Sequence, residues 1–167
     1  MRRLIAIVLL GFCFLMFGCI NYGLSTRECG SDIYCFRDRL EMDCEKSILT
    51  LNQQYGMIRL ESKGPVWTDA VFGKDKRAPS RCEVNIRITE VNESAVPAAQ
   101  KQQLQSAGIS ISSITLAEMN CVMTDRDFYK IYYAKDKEVA KTVYGTCSGT
   151  LKLLADQVPA LQEFMTK

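Results

Sequence analysis

The pattern of hydrophobic and polar positions separates an apolar leader from a chain of mixed character. An uncharged apolar run extends from Leu4 to Phe17 and follows two arginines, Arg2 and Arg3. The run is shorter than the roughly 20 residues of a typical membrane span and has the arrangement of a secretory signal peptide. We therefore expect residues 1–18 to be a targeting segment that takes no part in the fold.

The junction Gly18–Cys19 indicates how this leader is processed. A small residue directly before a cysteine resembles the lipobox of prokaryotic lipoproteins, which makes Cys19 the predicted lipidation site. Because Phe17 is bulky where such boxes carry a small residue, an uncleaved signal anchor and ordinary cleavage to a soluble product stay open. All three alternatives place the remainder outside the cytoplasm, with residues 19–28 as a short tether.

The first element after the tether is predicted to be a helix over residues 31–43, with Ser31 as its N-cap. Apolar residues at helical spacing form one stripe, which should face the core: Ile33, Phe36, Leu40 and Cys44. Cys35 lies almost opposite to that stripe. The helix is therefore expected to present Cys44 to the core and Cys35 to its outer side.

Alternating residues predict a sheet. Residues 47–54 and 56–64 flank Tyr55–Gly56 as a hairpin, and residues 81–91 alternate as a half-buried antiparallel strand. Residues 116–124 form the last strand, with Met119, Cys121 and Met123 on one face.

Between and after these strands, the pattern predicts further helices. A weak helix over residues 95–108 ends at Gly108, and residues 147–165 form one or two short helices, the second opened by Pro159. The predicted fold is a single α+β domain over residues 29–167. In it, an N-terminal helix packs on three or four antiparallel strands, with C-terminal helices and disulfide cross-links.

The cysteines are predicted to cross-link this fold, because an extracytoplasmic compartment allows thiols to pair. Setting aside Cys13 and Cys19 leaves six cysteines, with no C-x-x-C spacing and no histidine in the chain. Three disulfides are predicted, and no metal site; two disulfides with free thiols, or metal or redox chemistry, stay open. Helix geometry and elimination favour the pairs Cys29–Cys35, Cys44–Cys82 and Cys121–Cys147.

Charge excludes one class of partner. Without Arg2 and Arg3 the chain has 19 basic residues, which balance its 19 acidic residues. A nucleic-acid-binding protein carries a basic surface, so no nucleic-acid partner is expected.

No catalytic constellation is visible, and we expect neither an enzyme nor a cofactor. Ser148 in the segment Cys-Ser-Gly has no histidine to serve as its base and is expected to cap a helix. The alternative is a secreted carboxylate-dependent hydrolase that uses Glu118 and Asp125. Asp125 and Asp127 are better explained as the start of a helix capped by Thr124.

Three further features have a functional and a structural interpretation. One is a basic set that could bind an anion or lie in a solvated turn: Lys74, Lys76, Arg77 and Arg81. Another is an aromatic set that could form a recognition face or a core with an amphipathic rim: Phe128, Tyr129, Tyr132 and Tyr133. The third is Asn92-Glu93-Ser94, which is a glycosylation sequon or a polar turn.

The order of these segments resembles a group of functionally uncharacterised cysteine-rich extracytoplasmic domains that follow signal or lipoprotein leaders in archaea. The resemblance rests on "CGSDIYCFRDRLEMDC", "RCEVNIRITEV", "MNCVMT" and "CSGTLKLL", and covers most of residues 29–155. It implies the same class and location, and offers no catalytic residues.

Together these features predict a membrane-tethered extracytoplasmic protein of the cell envelope that binds a partner. A lipid or signal anchor would hold it to the membrane. Its partner would be an envelope protein or a glycan.

Overall fold

The computed structural model describes residues 26–66, 80–115 and 117–158. The leader, Cys19, most of the predicted tether and the predicted helix at Pro159 lie outside the described residues, as do Lys74, Lys76 and Arg77.

A five-stranded sheet organises the described chain, with the strands side by side in sequence order. The strands are β1 (Arg27–Glu28), β2 (Ser47–Gln53), β3 (Gly56–Pro65), β4 (Cys82–Val91) and β5 (Glu118–Met123). The β1 and β2 strands are parallel, and the other three pairings are antiparallel.

Six helices are described: α1 (Ile33–Glu41), α2 (Ala98–Ser106), α3 (Ile111–Thr115), α4 (Asp125–Tyr132), α5 (Lys137–Thr146) and α6 (Thr150–Gln157). None of them is long and apolar enough to cross a membrane. The fold is α+β, which confirms the predicted class.

The predicted details of the sheet were wrong in two respects. The sheet is mixed and has five strands, and a strand precedes the first helix, because Arg27–Glu28 from the expected tether pair with Ser47–Ile48. The pairing continues beyond the strand, where the Cys29 N–H donates to the Ile48 carbonyl at 2.8 Å. A strand of two residues has no alternation from which it could be predicted.

The core lies between the inward face of the sheet and the helices. Each central strand contributes alternate residues to it, such as Leu49, Leu60 and Val84, as the period of two in a half-buried strand requires. The helices contribute Phe36, Leu40, Phe128 and Leu151, all fully buried. The described helices therefore share one core with the strands.

The outer edge of β5 is covered by the segment that joins α5 to α6. The backbones of Asn120 and Ser148 exchange two hydrogen bonds of 2.8 and 2.9 Å. On either side, the Thr150 and Thr146 hydroxyls accept from the Glu118 and Val122 N–H groups at 3.2 and 3.1 Å. These bonds satisfy backbone groups that would otherwise offer an open edge to another strand.

Three disulfides connect the elements, in the pairs expected from the sequence: Cys29–Cys35, Cys44–Cys82 and Cys121–Cys147. Cys44 reaches the sheet by a different route from the one predicted. The α1 helix ends at Glu41, and Cys44 lies beyond it at a φ of 60°, so it is not part of a helical stripe. The turn itself directs the buried thiol toward Cys82.

Candidate binding surface

The candidate binding surface lies on two helices, α1 and α4. Hydrogen bonds and disulfides fix α1 at both ends, and a capping box fixes the start of α4. Asp32 caps α1 by accepting from the Tyr34 and Cys35 N–H groups, and the Cys29–Cys35 disulfide closes the same turn. At the other end of α1, the chain is tied to β4 through Cys44–Cys82.

The α4 helix begins with the capping box that its sequence predicts. The Thr124 hydroxyl accepts from the Asp127 N–H at 3.1 Å, and the Asp127 carboxylate accepts from the Thr124 N–H at 3.0 Å. Because Thr124 directly follows β5, this box fixes the direction in which α4 leaves the sheet.

The helices bring together three exposed tyrosines, Tyr34, Tyr129 and Tyr133, which we call the tyrosine surface. Their side chains are 55, 42 and 39% exposed. The ring of Tyr133 is stacked on that of Tyr129 at a centroid distance of 5.0 Å, and it meets the ring of Tyr34 at the same distance in a tilted arrangement. Spacing of four residues along α4 produces the stacked pair.

A buried aromatic layer supports the tyrosine surface. Phe128 contacts Phe36 at 5.2 Å and Tyr132 at 4.7 Å between ring centroids. The predicted aromatic set is therefore divided. Phe128 belongs to the core, Tyr132 is half-buried, and Tyr129 and Tyr133 face solvent.

The aromatic set predicted from the sequence did not include Tyr34. It lies directly before Cys35 on the side of α1 that faces away from the predicted buried stripe. An aromatic residue at a position predicted to face solvent could have indicated a binding surface. Its contact with Tyr133 depends on how α1 packs against α4.

The tyrosine surface has two electrostatic features, an arginine beside one ring and a raised pKa of Tyr133. The guanidinium carbon of Arg37 lies 5.4 Å from the centre of the Tyr129 ring, within range of a cation–π interaction. Hydrogen bonding with the Tyr34 hydroxyl, followed by desolvation and nearby negative charge, raises the pKa of Tyr133 to about 12. The hydrogen bond with Tyr34 therefore holds the Tyr133 phenol in its neutral form.

A second polar cluster lies on the opposite face of the sheet, between β4 and β5. The buried Asn85 amide donates to Asn120 at 2.7 Å and to Glu118 at 3.3 Å, while Arg87 donates to the Asn85 oxygen at 3.1 Å. Arg87 also contacts the Glu118 carboxylate, and the hydrogen bonds that this carboxylate accepts from Asn85 and Arg87, together with the charge of Arg87, hold the pKa of Glu118 below its usual range. A carboxyl of this kind is ionised and is poorly suited to act as a general acid.

The structure does not bring Glu118 and Asp125 together. Glu118 begins β5, whereas Asp125 begins the helix that follows the strand. The extended strand β5 lies between them, so the two residues stand toward opposite ends of that strand, and the Glu118 carboxylate is paired with Arg87.

Ser148 does not cap a helix, contrary to the prediction. The N-cap of α6 is Gly149, and Ser148 forms the backbone bridge to Asn120. Gly149 has a φ of 116°, and a Cβ on it would lie 2.5 Å from the Glu118 carbonyl oxygen. The close approach of this turn to β5 therefore requires glycine.

Within the described residues, no group of three or more histidine, cysteine, aspartate or glutamate side chains could hold a metal ion. All six described cysteines are disulfide-bonded. Arg81, the described member of the basic set, directly precedes β4, and its carbonyl accepts from the Val66 N–H at 2.9 Å.

Comparisons of the chain with protein-family models, with curated proteins and with solved structures found no match. The resemblance to archaeal extracytoplasmic domains therefore stays a prediction.

Proposed function

We propose that the protein is a membrane-tethered extracytoplasmic binding protein, and that it recognises a protein of the cell envelope through the tyrosine surface. The proposal rests on one arrangement of exposed side chains. The ring of Tyr133 contacts the rings of both Tyr34 and Tyr129, and an arginine lies beside Tyr129. Single exposed apolar residues are ordinary on soluble proteins, whereas a contiguous set indicates an interaction site.

The composition of the surface favours a protein partner. Tyrosine and arginine are enriched at the centres of protein–protein interfaces and among the residues that dominate their binding energy. A tyrosine ring buries a large area yet keeps a hydroxyl that can form a hydrogen bond. Each of the three exposed tyrosines brings such a hydroxyl to the surface, and that of Tyr133 is already hydrogen-bonded to Tyr34.

The rigidity of the surface also supports binding. Its two helices are held by the Asp32 cap, the Thr124 capping box and the disulfides at both ends of α1. Side chains that are already ordered lose less conformational entropy on association, so more of the contact energy is available as affinity.

The location of the protein is inferred from the disulfides and the leader. Three disulfides indicate an oxidising compartment outside the cytoplasm. A lipid on Cys19, or an uncleaved leader, would hold the domain near the membrane through the short tether. The partner would then be a protein of the same envelope.

Affinity capture from solubilised envelopes tests the proposal. Wild-type protein should retain a specific partner, and affinity for the purified partner should fall at least about tenfold in Tyr34→Ala or Tyr129→Ala, because interface hot spots contribute about 2 kcal/mol or more. Leu153→Ala is the matched control, since Leu153 is 63% exposed on α6 and lies outside the tyrosine surface.

The control variant should bind as the wild type does. Unchanged affinity in a folded variant that lacks all three tyrosines would refute the tyrosine surface as the binding site. Capture of a glycan in place of a protein would refute the proposed partner class.

A further inference from the structure

The turn that follows β4 carries the sequence Asn92-Glu93-Ser94. It satisfies the N-glycosylation pattern, an asparagine followed two positions later by serine with a residue other than proline between them. All three residues are exposed. The motif has no part in the tyrosine surface or in the polar cluster of the sheet.

The backbone of Asn92 is fixed at this turn. Its N–H donates to the Tyr55 carbonyl at 2.8 Å, and its carbonyl accepts from the Ala95 N–H at 3.0 Å. Val96, which follows the motif closely, is buried and anchors the end of the turn in the core. The sequon is thus held at a defined place on the surface.

The side chain of Asn92 is exposed and is hydrogen-bonded through its amide oxygen. The Ser94 hydroxyl donates to the Asn92 amide oxygen at 2.6 Å, which joins the two residues that define the sequon. In the described part of the chain, no acceptor is bonded to the amide nitrogen Nδ2. A bulky substituent on Nδ2 would therefore extend into solvent without displacing a packed group.

The position in the sheet is also suited to a large modification. Val91 pairs with Gly56 at the tip of the β2–β3 hairpin, whereas the chain enters the sheet from the tether at the Arg27–Ser47 pair. These are opposite ends of the strands, and β4 has ten residues, or about 30 Å at roughly 3.3 Å per residue. A substituent on Asn92 would lie at the end of the domain away from its tether.

We infer that Asn92 is an N-glycosylation site, and that its donor is an oligosaccharide linked to a polyprenyl phosphate or pyrophosphate. In the transfer, Nδ2 forms a bond to the anomeric carbon of the first sugar and loses a proton. The bond from that carbon to the phosphate oxygen breaks, and the lipid phosphate leaves. No oxidation or reduction occurs, and the disulfides indicate the compartment in which such donors are used.

Mass spectrometry of the protein isolated from its native envelope tests this inference. Tryptic cleavage after Arg87 and Lys101 releases the cysteine-free peptide 88–101, which contains the sequon. The peptide should carry the added mass of whole sugar residues, with fragments that locate the addition on Asn92. Recovery of peptide 88–101 in unmodified form alone would overturn the inference.

Two variants and a matched control, expressed in the same cells, sharpen the test. Asn92→Gln and Ser94→Ala should each abolish the modification, whereas Ser94→Thr should retain it because threonine also satisfies the sequon. A modified peptide in Ser94→Ala, or an unmodified one in Ser94→Thr, would contradict recognition through the sequon. Thermal unfolding of each variant checks that the domain is intact.

Discussion

Tyr133 shows how a single residue is tuned by its neighbours. It is stacked on Tyr129 within its own helix and meets Tyr34 from another helix. The hydrogen bond with Tyr34 is the largest cause of its raised pKa, so the ionisation of Tyr133 reports whether the two helices are in contact. The pKa of Tyr133 therefore reports whether the tyrosine surface is intact.

We expect the substitution Tyr34→Phe to lower the pKa of Tyr133 from about 12 toward its usual value of 10.0, because the hydrogen bond that favours the neutral phenol is lost. In the wild type, the folded state holds this proton more tightly than the unfolded state does. The free energy of unfolding should therefore fall as pH rises from 10 to about 12.

The fall in stability over this pH range should be smaller in Tyr34→Phe. Tyrosinate absorbance measures the titration, and chemical denaturation at several pH values measures the stability. Tyr55→Phe is the control, because Tyr55 is buried near the β2–β3 turn, outside the tyrosine surface. An unchanged pKa of Tyr133 in Tyr34→Phe would show that Tyr34 does not influence Tyr133.

At the scale of elements, the three disulfides constrain different parts of the structure. Cys44–Cys82 joins the turn after α1 to β4, and Cys121–Cys147 joins β5 to the end of α5. Cys29–Cys35 closes only the first turn of α1. The first two bonds therefore constrain the packing of elements, whereas the third constrains one helix start.

Removing these bonds should lower stability in the order of the loops that they close. With sequence separations of 38 and 6 residues, the chain-entropy relation gives about 4 kcal/mol for Cys44–Cys82 and about 2 kcal/mol for Cys29–Cys35. Denaturant unfolding of the paired serine variants measures the two losses. An equal or reversed order would mean that native packing, and not loop entropy, dominates.

Non-reducing peptide mapping of the wild type supplies the check on connectivity. A peptide that links Cys35 to Cys147, or Cys29 to Cys82, would contradict the pairing. Six alkylatable thiols in protein taken directly from cells would contradict the disulfides themselves.

At the scale of the whole molecule, the two edges of the described sheet, β5 and β1, differ. The β5 edge is covered by residues 146–150. The β1 strand forms the other edge and consists of the last residues of the predicted tether. An anchor at Cys19 would therefore hold the domain through this edge of the sheet, only a few residues from the first strand.

Substituting Cys19 with serine should abolish lipid labelling and release or mislocalise the protein, because a thiol is required for the lipid attachment. Fractionation with metabolic lipid labelling measures both effects. Cys13→Ser is the matched control, since Cys13 lies inside the apolar run of the leader. A membrane-bound product that still carries the leader by mass spectrometry would favour a signal anchor over a lipoprotein.

Local patterns in the chain were enough to predict several elements. Alternation in residues 82–91 identified β4, and the spacing from Thr124 to Asp127 identified the start of α4. Both predictions succeeded because periodicity and capping depend on residues that are close together in the chain. Parity and compartment predicted that the six cysteines pair, but Cys44 meets Cys82 from the turn after α1 and not from the helical stripe on which that pair was predicted.

Contacts between residues that are distant in the chain depend on how the elements pack. The two-residue strand β1 exists because β2 offers it hydrogen-bonding partners, and Ser148 lies against Asn120 because the α5–α6 turn packs on β5. The tyrosine surface arises in the same way, since Tyr34 joins Tyr133 only when α1 and α4 share the aromatic layer of Phe36 and Phe128. Contacts of this kind depend on the packing of whole elements, and no local pattern in the chain encodes them.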